Sequence, residues 1–89
     1  MVRAVVYFDT SDPGGFVGAL SANAGSVMAA DGYRGHELLR GVEDPMRFLL
    51  IVDWDSIADH QAWQQQHAAG FLGALGPFMK GSPDIKHFE

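Results

Sequence analysis

No cysteine occurs in this chain of 89 residues, which excludes disulfides, thiolate-held metals and a thiol nucleophile. Basic residues are scarce as well. Six Lys and Arg stand against eleven Asp and Glu, for a formal charge of −5. The six (Arg3, Arg34, Arg40, Arg47, Lys80, Lys86) are scattered along the chain. Phosphate backbones need clustered positive charge, so nucleic acid is not an expected partner. No apolar run approaches the ~18 residues that cross a bilayer, so no membrane is expected either. The stretch Ala4 to Phe8 is too short for the apolar part of a signal peptide, and a reducing cytoplasm is the expected compartment. Also missing are a Ser-centred nucleophile elbow, a phosphate-cradling glycine loop and a dinucleotide fingerprint. Asp12-Pro13-Gly14-Gly15 follows an apolar run but lacks the spaced glycines and lysine of a phosphate site. Its ordinary meaning is a turn and a helix start.

What is abundant is apolar. Hydrophobic residues make up 47% and charged residues 19%, a balance that suits a packed domain and not a disordered one. One domain over residues 1–89 is expected. A chain this short buries only about 60–68% of its unfolded surface, so a partner subunit would add core that the monomer lacks.

Val2 to Phe8 (VRAVVYF) is rich in β-branched and aromatic residues and reads as a first strand. Asp12 caps a helix that starts at Pro13 and stops at Asp31-Gly32. Phe16, Leu20, Ala24, Val27 and Met28 form its apolar stripe. Gly14, Gly15, Gly18 and Gly25 weaken it, by up to ~1 kcal/mol each where interior. Arg34 to Val42 reads as a second strand, Glu43-Asp44-Pro45 as a turn, and Met46 to Trp54 as the hairpin partner. Ser56 caps a second helix with Asp59 at its third position. Gly70 and Gly76-Pro77 are expected to break that helix into short pieces, and Pro83 onward is a last strand. The order β-α-β-β-α-β is the ferredoxin-like arrangement, an α+β fold with a four-stranded antiparallel sheet and both helices on one face.

The third strand is apolar on both faces. Phe48, Leu50, Val52 and Trp54 alternate with Leu49 and Ile51, where a half-exposed sheet needs only one such face. The second face must be covered, which predicts a homodimer.

On the second helix, Ile57, His60, Gln64, His67, Phe71, Leu75 and Phe78 fall on one stripe if the helix continues past Gly70. Trp63 sits on its flank. An imidazole pair and an indole beside a Phe-rich wall would suit an aromatic substrate. Hydrogen-bonded core or solvated histidines account for the same pattern. The acid–base candidates are His36, His60, His67, His87 and Tyr7, imidazole being the natural base near neutral pH. Glu37 and Arg40 project to opposite faces of the second strand and read as surface or interface ion-pair members. A metal is not expected. His60 and His67 lie roughly 10.5 Å apart along one helix, whereas Zn–N bonds are about 2.1 Å. No HxH or HxxxH spacing occurs, and nothing in the sequence joins His36 or His87 to them.

The run from Gly32-Tyr33 through Glu37, Arg40 and Glu43-Asp44-Pro45 to Trp54-Asp55-Ser56 and His60 resembles antibiotic biosynthesis monooxygenases. The ending Gly76-Pro77-Phe78, Pro83, Ile85, His87 and Phe88 fits the same pattern. The resemblance implies a dimeric α+β barrel. It also implies oxidation of polyphenolic polyketide intermediates to quinones with O₂, without metal, flavin or nicotinamide. Relatives on the scaffold degrade haem, isomerise lactones, cyclise polyketides or act on signalling molecules. Trp54 matches the pocket Trp that ends the third strand of the quinone-forming enzymes, but the Asn they carry four residues earlier is Leu50 here. Trp63 falls where haem-degrading relatives carry a pocket Trp. Their iron-ligating His lands near Leu75 and their first-strand Asn near Tyr7, so haem degradation is not implied.

These readings converge on a cofactor-independent monooxygenase that oxidises a phenolic, polyketide-type aromatic to a quinone. His60 is expected as base, and Trp54 and Trp63 as stacking walls. Tyr7, Tyr33 or His36 would orient a phenolic oxygen, with His67, Phe71 and Phe78 completing the substrate surface. A cyclase or isomerase on the same scaffold and a non-catalytic ligand-binding dimer remain open, as does reduced flavin as a co-substrate.

Overall fold

The computed structural model describes all residues, Met1–Glu89. Strand β1 (Val2–Asp9) is followed by helix α1 (Pro13–Asn23), a one-turn helix α2 (Gly25–Met28), strands β2 (Tyr33–Arg40) and β3 (Arg47–Trp54), and helix α3 (Ile57–Leu75). A 3₁₀ turn (Gly76–Phe78) leads to strand β4 (Asp84–Phe88). The sheet order is β2-β3-β1-β4, with every neighbouring pair antiparallel. This is the expected α+β, ferredoxin-like topology.

Alternation along the strands sorts the sheet into two faces. Ala4, Val6 and Phe8 of β1 and Phe48, Leu50, Val52 and Trp54 of β3 are buried under the helices. One row of that inner face runs His36–Val52–Ala4–His87, from one edge of the sheet to the other. The outer face carries Val5, Leu49 and Ile51 at its centre, with Leu39, Tyr7 and Phe88 exposed around them. Arg3 Nε donates to Asp53 Oδ1 at 2.8 Å and Arg47 Nε to Asp9 Oδ1 at 3.0 Å, closing the two ends of this face.

Helix α1 is held by the Phe16 ring, wholly buried between Phe8 and Phe48 at centroid distances of 5.0 and 5.1 Å. Its cap is the expected one: Asp12 Oδ1 accepts from Gly15 N at 3.1 Å. The single long helix to Asp31 is not observed. Asn23 Nδ2 donates back to Ala19 O at 2.8 Å, and the chain breaks at Ala24 before restarting as α2. The break rotates Met28 out of the stripe, leaving it half exposed.

Strand β2 ends two residues earlier than expected, and Val42 is exposed. A tight turn begins at Gly41, whose N–H donates to Arg47 O at 2.7 Å. A Cβ there would run into the Asp44 backbone carbonyl, so the strand must stop.

Helix α3 runs unbroken through Gly70 for 19 residues. A solvent-facing glycine costs about 1 kcal/mol, less than the roughly 1.5–3 kcal/mol gained by burying each of Phe71 and Leu75 beside it. Ser56 Oγ accepts from Asp59 N at 3.2 Å and donates to Asp59 Oδ2 at 3.0 Å, the expected capping arrangement. The buried face is rotated from the expected stripe. His60, Trp63, Phe71 and Leu75 point inward, whereas Ile57 and His67 are exposed. The indole is the largest side chain on the helix, and its burial sets which face turns to the sheet.

Candidate active site

Two elements, β3 and α3, meet at the end of β3. Trp54 is the last inward residue of that strand and is 1% exposed. Six residues on, His60 occupies the first turn of α3, and one turn later comes Trp63. The hinge between strand and helix is pinned by Asp55 N donating to Gly32 O at 2.8 Å. Gly32 has φ +81°, and a side chain there would strike the Asp59 carboxylate, so this close approach requires glycine.

The His60 ring stacks on Trp54 with centroids 5.0 Å apart and 16° between planes, and on Trp63 at 6.1 Å and 27°. It is 5% exposed. Its Nδ1 lies 2.8 Å from Nε2 of His87, which is on β4 and exposed. Burial, and secondarily the charge that His87 can carry, lowers the His60 pKa from 6.5 to about 4. The imidazole is therefore uncharged at neutral pH and free to accept a proton.

His60, Trp54 and Trp63 line a small cavity of about 50 Å³, walled mainly by apolar side chains, among them Leu50, Val52 and Phe71. Ala4 makes the room for it, as the smallest side chain on the inner sheet face, between Val52 and His87. The Trp54 and Trp63 Nε1 groups are buried and have no acceptor in the chain. An orphan donor costs about 1–3 kcal/mol, so an acceptor oxygen that reached either group would relieve a penalty already present. A wider cleft of about 320 Å³ shares the wall residues Val27, Leu50, Val52 and Phe71, and adds Leu20, Met28, Leu38 and His36. The smaller part has room for a small group, and the cleft has the volume of a ligand site.

Of the residues picked from sequence, Trp54, His60, Trp63 and Phe71 come together on one cavity wall, and His36 lines the adjoining cleft. Tyr33 bridges them, with its hydroxyl 2.6 Å from His36 Nδ1 and its ring edge-on to Trp54 at 6.4 Å. Three others lie elsewhere. Tyr7 is on the outer face, because odd-numbered β1 residues alternate away from the helices. His67 is on the exposed side of α3, in a separate open cleft with Asp31 and Asp59. Phe78 packs against Gly15 at the start of α1, since the 3₁₀ turn carries it away from the α3 face. His87 was a candidate acid–base group in the sequence, but its pairing with His60 was not anticipated. The signal lies in the β1–β4 register, which sets His87 opposite Ala4. No three His, Cys, Asp or Glu side chains converge as a metal-ligand set.

Solved structures share the fold. A Bordetella bronchiseptica protein assigned to the antibiotic biosynthesis monooxygenases superposes with a TM-score of 0.91 at 21% identity, covering 99% of this chain and 94% of that one. SnoaB from Streptomyces nogalater, described as a cofactor-independent oxygenase, gives 0.87 at 19% identity, with 99% and 90% covered. A Caulobacter crescentus protein of the same assignment gives 0.83 at 17%, with 98% and 86% covered. No curated protein sequence matches the chain. The family model for antibiotic biosynthesis monooxygenases matches residues 1–71, covering β1 through most of α3 with Trp54, His60 and Trp63, and the chain belongs to that family.

Proposed function

We propose that this protein is a small monooxygenase that needs no cofactor and oxidises a phenolic, polyketide-type aromatic to a quinone with O₂. The observation that carries this reading is the uncharged, buried His60 packed against both Trp54 and Trp63 on one cavity wall, with two indole N–H groups beside it that lack acceptors. The likeness to SnoaB, a cofactor-independent oxygenase, supports it. His60 takes the proton of the substrate. The anion passes one electron to O₂, and the radical and superoxide combine at a ring carbon as a peroxide. Loss of water leaves the new carbonyl, so one oxygen atom enters the product and the other leaves in water.

Magnitudes constrain the proton step. A phenol ionises near pH ~10, far above a His60 conjugate acid at about 4. The anion therefore needs donors that hold it, and the Trp54 and Trp63 N–H groups supply them in a water-poor site. His36, with Tyr33 behind it, orients the part of the substrate that fills the cleft.

A cyclase or isomerase would use the same base and cavity without oxygen, and a ligand-binding dimer would use only the cavity. Leu50 favours these readings, because it puts an apolar side chain on the cavity wall where the quinone-forming relatives carry Asn. Oxygen uptake and quinone absorbance with a panel of anthrones, naphthols and hydroquinones separate them. Uptake without added cofactor supports the monooxygenase. Uptake only with reduced flavin makes flavin a co-substrate, and anaerobic turnover of substrate identifies the cyclase.

We also propose that the outer sheet face docks on a second copy, in the cytoplasm. Val5, Leu49 and Ile51 form its apolar centre, and the row Glu37–Ile51–Val5–Lys86 ends in opposite charges. A two-fold axis along the strands lays Glu37 of one copy over Lys86 of the other.

A further inference from the structure

We propose that His87 is the proton outlet of His60, a relay and positioning residue that passes the proton of the buried ring to solvent. The inference rests on the reading of His60 as the base and extends it to the strand on the far edge of the sheet. Three observations carry it. The two rings meet through Nδ1 of His60 and Nε2 of His87 at 2.8 Å, a hydrogen-bonding distance, with centroids 5.0 Å apart. His60 is buried against both tryptophans, whereas His87 is exposed. His87 is also the one titratable group whose charge acts on His60.

The relay requires one of the two tautomer arrangements that this contact allows. In it His60 Nδ1–H donates to His87 Nε2, which leaves His60 Nε2 as the accepting atom. When Nε2 takes the substrate proton, Nδ1–H passes to His87 Nε2, and His87 releases its own Nδ1 proton to water. Each ring gains one proton and loses one, so neither imidazole keeps a positive charge, and the substrate anion is the one charge left in the site. When the peroxide eliminates water the transfers reverse. His60 Nε2–H protonates the departing oxygen, His87 returns a proton to His60 Nδ1, and water restores His87 Nδ1. A weak base of this kind serves because the proton moves on.

The experiment is long-range ¹H–¹⁵N spectroscopy of the full chain with labelled histidine, on the wild type, His87→Gln and His87→Phe. His60 is expected as the neutral Nδ1–H tautomer from pH 6 to 8. Gln keeps a partner for that proton and preserves the tautomer, and Phe removes the partner and the preference. An Nε2–H tautomer at His60 in the wild type, or an unchanged His60 signal in H87F, overturns the relay. Oxygen uptake with an anthrone gives the second readout. H87Q should lose about tenfold or more and recover with added imidazole. Full uptake in H87Q also overturns the proposal. If the wild type takes up no oxygen on any substrate, the monooxygenase reading fails and the relay is decided by the spectra alone.

Discussion

The imidazole of His60 lies nearly parallel to the indole of Trp54, 16° between planes and 5.0 Å between centroids. A strand end and a helix start, six residues apart in sequence, thus present one continuous aromatic surface. Stacking fixes the imidazole plane, and the bond to His87 fixes its rotation within that plane. Both constraints act before any substrate arrives, which is what proton transfer in a defined direction requires.

Replacing His60 by Ala should lower oxygen uptake by about 10²–10⁴-fold, the range of a positioned general base. The matching measurement is initial uptake rate against anthrone concentration. An H60A variant with wild-type kcat would remove the base from the scheme.

Trp54→Phe retains a flat ring but deletes one of the orphan N–H donors. With that donor gone, kcat should fall by about tenfold to a hundredfold while the fold persists. Because the donor is unpartnered in the chain, chemical denaturation should show W54F losing little stability beyond the volume change.

Acidification should unfold the protein through His60. Its folded pKa, about 4, lies below the unfolded value of 6.5, so the unfolded chain binds the extra proton between those values. Stability is then full above pH 6.5 and declines as the pH falls towards 4, by roughly 3 kcal/mol at most. Urea midpoints at pH 7.5 and pH 4 should differ clearly in the wild type and much less in His60→Leu. Equal slopes in the two proteins would assign the acid sensitivity to other groups.

Phe16→Ala should cost about 3–5 kcal/mol, since the ring is wholly buried between Phe8 and Phe48. Thermal unfolding followed by circular dichroism reads this directly. A loss under 1 kcal/mol would mean that α1 repacks against the sheet.

Ile51→Asp places a charge at the centre of the outer sheet face. Light scattering should show a dimer for the wild type and a monomer for I51D, with little change in the helical signal. A monodisperse wild-type monomer would refute the proposed pairing.

The strands are the most legible part of the sequence. Val2–Phe8 and Phe48–Trp54 are rich in β-branched and aromatic residues, and the structure sorts alternate residues to the two faces that period two requires. The facing of α3 was less legible. His60, His67 and Trp63 are all compatible with a helical period, and only the competition for burial decides that Trp63 turns in and His67 turns out. Helix breaks are less legible for a similar reason. Gly70 does not interrupt α3, whereas α1 ends at Asn23, whose side chain bonds back to Ala19, a contact that no apolar pattern records. Within the site, Trp54 and His60 are near neighbours in sequence and could be found. His87 is 27 residues from His60, and their meeting depends on how a five-residue strand registers against β1.

The small cavity and the wider cleft share Val27, Leu50, Val52 and Phe71, yet they differ in which elements supply the rest. Trp54, His60 and Trp63 belong to the β3–α3 hinge, whereas Leu20, Met28 and the one-turn α2 frame the cleft. The reactive end and the measuring end of the site can therefore drift independently. Substitutions around Ser21, Ala24 and Met28 would alter the length and girth of molecule admitted while leaving the proton chemistry intact, which is how one small scaffold can serve a succession of different substrates over evolutionary time.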